Sequence, residues 1–284
     1  MTAHTVVVSS SDRASLSPAA LVRHVWSHRD VTAQLAIRNV RAVYGGSMLG
    51  VLWAGFKPLL MLTVYTLVFG MIFKSRFFRA DTASNPVDFG LALFAGLSIF
   101  TILSEALSKA PTIITGNTNF VKKVVFPLDV LVLSDFFATL FNFVVSAGIL
   151  LVFLLVRYHG LPLAALSAPF IVAPFILMCL GLSWLLASLG TYLRDLNQVI
   201  GVVITVLMFA SPIFFPVEAL PPALRQWAFL NPVASVVEQT RNALFLGQWP
   251  HPRRLAAEYM IDLIVLWLGW AWFEYTRKGF ADVL

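Results

Sequence analysis

Charge is scarce in this sequence. Asp, Glu, Lys and Arg make up 12% of 284 residues, while hydrophobic residues make up 59%; a water-soluble domain carries about 25% and about 45–50%. A folded chain surrounded by water needs a polar skin, and this chain has too little polar material to make one. The composition excludes a soluble enzyme, a nucleic-acid reader and a disordered chain. A mean hydropathy of +0.83 makes lipid the solvent for most of it. Basic residues outnumber acidic ones, 20 to 14, yet they form no long run. They sit at the margins of apolar segments, where cations meet lipid headgroups.

Signatures of chemistry are equally sparse. Cys179 is the single cysteine, which excludes a disulfide framework and a thiolate metal site and leaves a small buried hydrophobe. His4, His24, His28, His159 and His251 are scattered outside the apolar segments, so no metal site or proton relay is expected. The G-x-x-x-x-G-K-[ST] loop that cradles nucleotide phosphates is missing, as are H-E-x-x-H and G-x-S-x-G. The ionisable residues Glu105, Asp129, Asp135, Glu258 and Asp262 fall near the ends of apolar segments rather than in their middles. Glu105 and Lys109 are spaced for a local salt bridge. Arg254, Glu258 and Asp262 form an i, i+4, i+8 row, readable as an interfacial ion pair or as part of a gate.

What is abundant is apolar helix. Six segments are near the roughly 20 residues a bilayer core requires, at 48–73, 89–108, 129–156, 167–190, 197–217 and 255–275. The expected fold class is an all-α integral membrane protein with six transmembrane helices. Residues 1–17, rich in Ser and Thr, are expected to form a mobile cytoplasmic tail. Ser17-Pro18 is a helix start, with a capping hydroxyl before proline at the first helical position. A second helix opens at Asp30 and ends at Gly45-Gly46. Its polar residues Asp30, Gln34, Arg38 and Arg41 share one narrow stripe, as in a helix lying in the membrane interface. Residues 18–46 are therefore assigned to interfacial amphipathic helices and 47–284 to the six-span domain. Between the last two spans, Pro221-Pro222, Asn231-Pro232 and Gly247 break the chain into apolar pieces too short to cross, which predicts a re-entrant or interfacial hairpin. Six crossings put both termini on one side, and the excess of Lys and Arg in segments on that side makes it cytoplasmic.

Six motifs then occur in order. Tyr44-Gly45-Gly46-Ser47-Met48-Leu49-Gly50 is followed by Trp53, Pro58-Leu59-Leu60, Tyr65 and Phe69. Asn119-Phe120-Val121-Lys122-Lys123 precedes Phe126-Pro127, and Tyr192-Leu193-Arg194-Asp195, Ser211-Pro212-Ile213-Phe214 and Asn231-Pro232 come next. The chain closes on Phe280-Ala281-Asp282-Val283-Leu284. Over residues 30–284 this series resembles the permeases of type 2 ABC exporters, closest to those exporting O-antigen, capsule or teichoic-acid polymers. Lys57 before Pro58, where a neutral residue is more usual, is the visible departure from that pattern.

The resemblance implies a half-transporter in the bacterial inner membrane that works as a homodimer with two copies of a separate ATPase. ATP and Mg would be held by that subunit, and this chain would bind no cofactor and no metal. The substrate implied is a lipid-linked polysaccharide. Segment 111–127 would seat in the ATPase through Thr112, Asn117, Asn119, Phe120, Lys122, Lys123 and Phe126, with Pro111, Gly116 and Pro127 delimiting the lever. Segment 218–248 would be the external gate, with Pro221, Asn231, Pro232 and Glu258. A sugar polymer needs walls that are weakly adhesive everywhere. The aromatic residues Trp53, Phe56, Tyr65, Phe69, Phe73, Phe209 and Phe214 are candidates to line such a pore, although aromatics also form interfacial belts and pack between helices. Arg38 and Arg41 are candidates to meet a substrate diphosphate at the mouth, or to reach lipid phosphate. The competing expectations are a drug or lipid exporter of the same family, a membrane-embedded glycosyl- or acyltransferase, and a structural subunit.

Overall fold

The computed structural model describes residues 16–45, 48–72, 85–122, 126–219, 221 and 231–284. Most of the expected tail, together with Phe73, Lys123 and the piece at 223–230, lies outside the described residues. Among the described residues all regular structure is helical.

Two short helices come first, α1 (Pro18–Ser27) and α2 (Arg29–Tyr44). The Ala20 amide donates to Ser17 Oγ at 3.2 Å, the cap expected before Pro18. On α2, Asp30, Gln34, Arg38 and Arg41 are exposed and Thr32 is buried. A 3₁₀ turn at Gly50–Leu52 leads into α3 (Trp53–Tyr65), which continues as a π-helical stretch over Thr66–Ile72. The chain then forms α4 (Pro86–Ile113), α5 (Thr118–Lys122), α6 (Asp129–Tyr158), α7 (Ala168–Tyr192) and α8 (Leu196–Ala210). It closes with α9 (Pro232–Phe245), α10 (Pro252–Thr276) and the short α11 (Phe280–Val283).

Five of these segments are long and apolar enough to cross a membrane: Gly50–Ile72, Pro86–Ile113, Asp129–Tyr158, Leu163–Tyr192 and Pro252–Val283. The expected fifth span, 197–217, is shorter than its hydropathy suggested. Its helix stops at Ala210, and 15 residues reach only about 22 Å against a bilayer core of about 30 Å. The helix fails there because Pro212 cannot donate to the ladder and Ser211 turns to an extended ψ of 143°.

Helices α4 and α7 form the centre, with 67% of the most apolar stretch of each buried, against 11%, 17% and 22% for the segments of α3, α6 and α10. Glycines set the closest crossings. A Cβ on Gly269 of α10 would lie 2.0 Å from the Gly181 carbonyl oxygen of α7, and one on Gly181 would lie 2.5 Å from Leu266 Cα. Where lipid surrounds a bundle, such backbone approach replaces the hydrophobic effect as the main source of helix association. Near the other end of α7, a Cβ on Gly190 would lie 2.3 Å from the Pro111 carbonyl oxygen of α4. The π-helical stretch meets α4 in the same way, with Gly90 against Thr66 and Gly70 against Pro86.

One end of the bundle carries α1, α5 and α11. There Trp267 Nε1 donates to the Leu16 carbonyl at 2.7 Å, Tyr192 Oη donates to the Thr276 carbonyl at 2.9 Å, and α11 packs on α5 and α7. At the opposite end Arg157 of α6 makes a two-pronged pair with Asp88 of α4, at 3.0 and 3.1 Å.

Substituting Gly269 by Leu should therefore force α7 and α10 apart, at a cost of about 1–3 kcal/mol or more. Melting of the purified chain in detergent should fall well below wild type. Gly201→Ala, where a Cβ meets open space, should melt as wild type does. Equal melting of all three proteins would contradict the glycine contact.

Candidate functional site

Three regions hold the residues singled out from the sequence. The first is the connection after α4. Pro111 was expected to delimit it, but α4 runs through Pro111 to Ile113. The proline is accommodated because its missing N–H frees a carbonyl one turn back, which neighbouring groups tolerate inside a bundle, and because Gly190 gives it room. The helix yields instead at Ile114, passes through a 3₁₀ turn at Thr115–Asn117 and restarts as α5. Asn117 Nδ2 donates to the Ile113 carbonyl at 2.8 Å and Thr112 Oγ1 to the Lys109 carbonyl at 2.9 Å, so both side chains satisfy the end of α4. Phe120 and Phe126 face each other with ring centroids 4.9 Å apart. Asn119 lies in α5 beside Phe120.

Close by lies a buried polar cluster that the sequence did not reveal. His24 Nε2 of α1 is 2.7 Å from Asp129 Oδ2 at the first residue of α6, and Asp129 is wholly buried. The Asp129 carboxylate raises the His24 pKa above its ordinary value through the hydrogen bond, outweighing the burial that would lower it. Trp184 Nε1 of α7 donates to the Asp129 carbonyl at 3.2 Å, and Glu274 of α10 pairs with Arg277 at 3.0 Å. His24 and Asp129 are over a hundred residues apart, and no local pattern links them.

The second region is at the opposite end. The chain breaks after α8, and the freed carbonyls of Pro212 and Ile213 accept from Arg241 of α9, Nη1 at 2.8 Å and Nη2 at 2.7 Å. Arg241 Nε donates to the Ala92 carbonyl of α4 at 2.9 Å. Gly96 makes this possible, since a Cβ there would lie 2.5 Å from Nη2. Asn231 caps α9 by accepting from the Val233 amide at 3.0 Å, and its Nδ2 reaches back to Ser211 Oγ at 2.8 Å. Pro232 is the first residue of that helix, and Pro221 is exposed. Glu258 of α10 accepts from Gln239 Nε2 at 2.8 and 2.9 Å and from Ser235 Oγ, and pairs with Arg254 at 3.4 Å. Arg254 and Glu258 thus face α9. The residue carrying most of this knot, Arg241, was not singled out from the sequence, where it sits in the polar run Glu238-Gln239-Thr240-Arg241-Asn242 and reads as an ordinary cation.

The third region is aromatic. Phe69 lies 5.9 Å from Phe214 and 6.3 Å from Phe89, and Phe214 lies 6.1 Å from Phe209, between ring centroids. This row brings the π-helical stretch beside the end of α8. Trp53 and Phe56 meet edge-on at 5.3 Å at the start of α3, and Trp53 and Tyr65 border a cavity between α3, α4 and α6. Glu105 and Lys109 form the expected pair at 3.2 Å in the same cavity. Arg38 and Arg41 are exposed on α2 and do not line it. Among the described residues no three His, Cys, Asp or Glu come together to hold a metal ion.

The bundle has a short helix, α5, at one end with Phe120 and Val121 packed on the core, a hydrogen-bonded knot of broken helices at the other, and closely packed helices between. Residues 31–245 match the ABC-2 type transporter family. The chain belongs to that family. Its relatives include the O-antigen export system permease protein RfbA of Myxococcus xanthus, 26% identical over 92% of this chain and 98% of the relative. The polysialic acid transport protein KpsM of Escherichia coli is 24% identical over 91% of this chain and 98% of its own length. The capsule polysaccharide export inner-membrane protein CtrC of Neisseria meningitidis serogroup B is 25% identical over 88% and 92%. Within this ABC-2 chain the motifs that carried the resemblance are now placed: Asn119 and Phe120 on α5, Ser211-Pro212 at the end of α8, and Asn231-Pro232 opening α9.

Replacing Arg241 by Gln should leave the Pro212 and Ile213 carbonyls without their donors, at about 1–3 kcal/mol for each buried group left unsatisfied. The segment after α8 should then open. A cysteine placed at Ile213, which is wholly buried, should resist a thiol reagent in the otherwise native chain and react when Arg241→Gln is added. Buried Cys179 gives a quiet background. Equal labelling with and without Arg241→Gln would contradict the role of the guanidinium.

Proposed function

We propose that this chain is the membrane-spanning half of an ATP-driven exporter that moves a lipid-linked polysaccharide, of O-antigen or capsule type, from the cytoplasm across the bacterial inner membrane. The observation that carries this reading is near-full-length similarity to three sets of permeases, each named for export or transport of a polysaccharide. The sequence has no loop that cradles nucleotide phosphates, so ATP and Mg belong to a separate ATPase chain. Two copies of this chain with two ATPase subunits make the working complex.

Segment 211–216 together with α8 serves as the sixth crossing in this reading. Helices α1 and α11 lie at one end of the bundle, which supports an even number of crossings with both termini cytoplasmic. Helix α9 with Pro221, Asn231, Pro232 and Glu258 is then the re-entrant external gate. The ATPase grips α5 through Asn119, Phe120 and Phe126, with Thr112 and Asn117 bracing the end of α4, and Lys122 and Lys123 remain candidates from the sequence. When two ATPase subunits close on ATP, α5 moves with them. The movement enters α7 through the Pro111–Gly190 contact and α10 through the glycine crossing at 181 and 269. Helix α10 carries it to Glu258 and the gate.

The Phe69–Phe214–Phe209 row offers aromatic faces to sugar C–H groups without a deep pocket that would trap a polymer, and Trp53, Phe56 and Tyr65 are further candidates, as is Phe73, which lies outside the described residues. Exposed Arg38 and Arg41 meet the diphosphate at the cytoplasmic mouth.

Depletion of this chain, with rescue from a plasmid, tests the reading. Loss of surface polysaccharide and its accumulation inside on a lipid carrier is the expected result. Wild type should restore surface polymer by at least about tenfold over Phe120→Asp, which should insert normally but fail to hold its ATPase, because a buried charge is costly at such a contact. Normal surface polymer with altered drug sensitivity would overturn the reading in favour of a drug or lipid exporter.

A further inference from the structure

A cavity of about 570 Å³ lies between α3, α4 and α6 beside the end of α2. Its two ends differ in chemistry. Toward α2 it is bordered by Tyr44, Lys57, Glu105, Lys109 and Asn142, and farther along by Met61, Tyr65, Phe94 and Leu97. Most of the polar groups are engaged with one another. Tyr44 Oη donates to Asn142 Oδ1 at 2.8 Å, Asn142 Nδ2 donates to Glu105 Oε2 at 3.4 Å, and Lys109 Nζ donates to the same oxygen at 3.2 Å.

Lys57 is the exception. It makes no hydrogen bond or ion pair among the described residues, although it sits in a span that is otherwise apolar. The Glu105 carboxylate in the cavity is already shared by Lys109 and Asn142. Among the residues that line the cavity two lysines face one glutamate, and the neighbouring carboxylate of Asp135 on α6 interacts with Lys109 and Glu105, which leaves Lys57 as the cation without a partner among the described residues. A lysine in a membrane helix is costly unless it faces a partner or water. Basic pockets between membrane helices select phosphate headgroups. A polar end with an exposed, uncommitted lysine, continuous with an apolar one, fits an amphiphile rather than a soluble ion.

We propose that this cavity binds one lipid by its phosphate headgroup, with Lys57 as the ionic partner and the hydrocarbon chain lying along the Met61–Phe94 end. The headgroup can come from the membrane's own anionic phospholipid or from a polyprenyl diphosphate carrier. The chemistry of recognition is the same for both.

Native mass spectrometry of the delipidated full chain tests this, with phosphatidylglycerol, phosphatidylcholine and polyprenyl diphosphate added separately and in competition. One phosphatidylglycerol should be retained per chain in preference to phosphatidylcholine, and Lys57→Gln should weaken that retention about fivefold. Lys57→Arg should keep it, and Lys278→Gln, which removes an exposed cation elsewhere, should leave it unchanged. Displacement by an equal amount of polyprenyl diphosphate supports the site and assigns it to the carrier. Retention against an excess supports the site and assigns it to membrane phospholipid. Equal retention of phosphatidylglycerol and phosphatidylcholine, or equal retention by wild type and Lys57→Gln with both chains folded, would overturn the proposal. Either result leaves the export reading standing, since that is read from surface polymer.

Discussion

Inside a bilayer every backbone N–H and C=O must find its partner within the protein, because no water is available to supply one. Most of this chain meets that demand by being helix. The stretch after Ala210 cannot, since Pro212 ends the ladder, and its carbonyls are met by the guanidinium of Arg241 from α9. That contact fixes where α9 lies, Gly96 fixes how closely it approaches α4, and Asn231 ties its start back to Ser211. A helix too short to cross is thus held among the spans by the defect it repairs.

From the middle of the bundle to the opposite end, backbone packing joins the spans. Pro111 rests on Gly190, and α7 rests on α10 through Gly181 and Gly269. Backbones in direct contact transmit displacement better than long side chains, whose rotamers absorb it. Helix α5 is joined to this frame through α11 and the end of α4, and the His24–Asp129 contact anchors α1 to the start of α6. The short helix α5, the closely packed α4, α7 and α10, and the knot of broken helices are in this way joined through named contacts.

Much of this was legible in the sequence wherever the signal is local. Ser17-Pro18 marked the start of α1, and the apolar run from Asp129 gave α6 to within two residues of its observed end at Tyr158. The Glu105–Lys109 pair followed from spacing alone. What escaped depends on contacts between distant segments. Pro111 read as a boundary because proline breaks an isolated helix, and only Gly190 of α7 explains why it does not do so here. The fifth span looked complete because hydropathy counts Ile213, Phe214 and Phe215 as it counts any apolar helix. His24 looked isolated because its partner is Asp129, and Arg241 looked like an ordinary cation because the carbonyls it serves belong to α4 and the end of α8. Lys57 was visible as an anomaly, but its cavity was not.

The most direct test of the account is transport itself. Inverted membrane vesicles carrying this chain and its ATPase, given lipid-linked polysaccharide and ATP, should move the polymer into the lumen, where an added glycosidase cannot reach it. Protection should require ATP hydrolysis and should vanish when this chain is omitted. Polymer that stays fully digestible while the complex hydrolyses ATP, or protection that persists without this chain, would contradict the assignment.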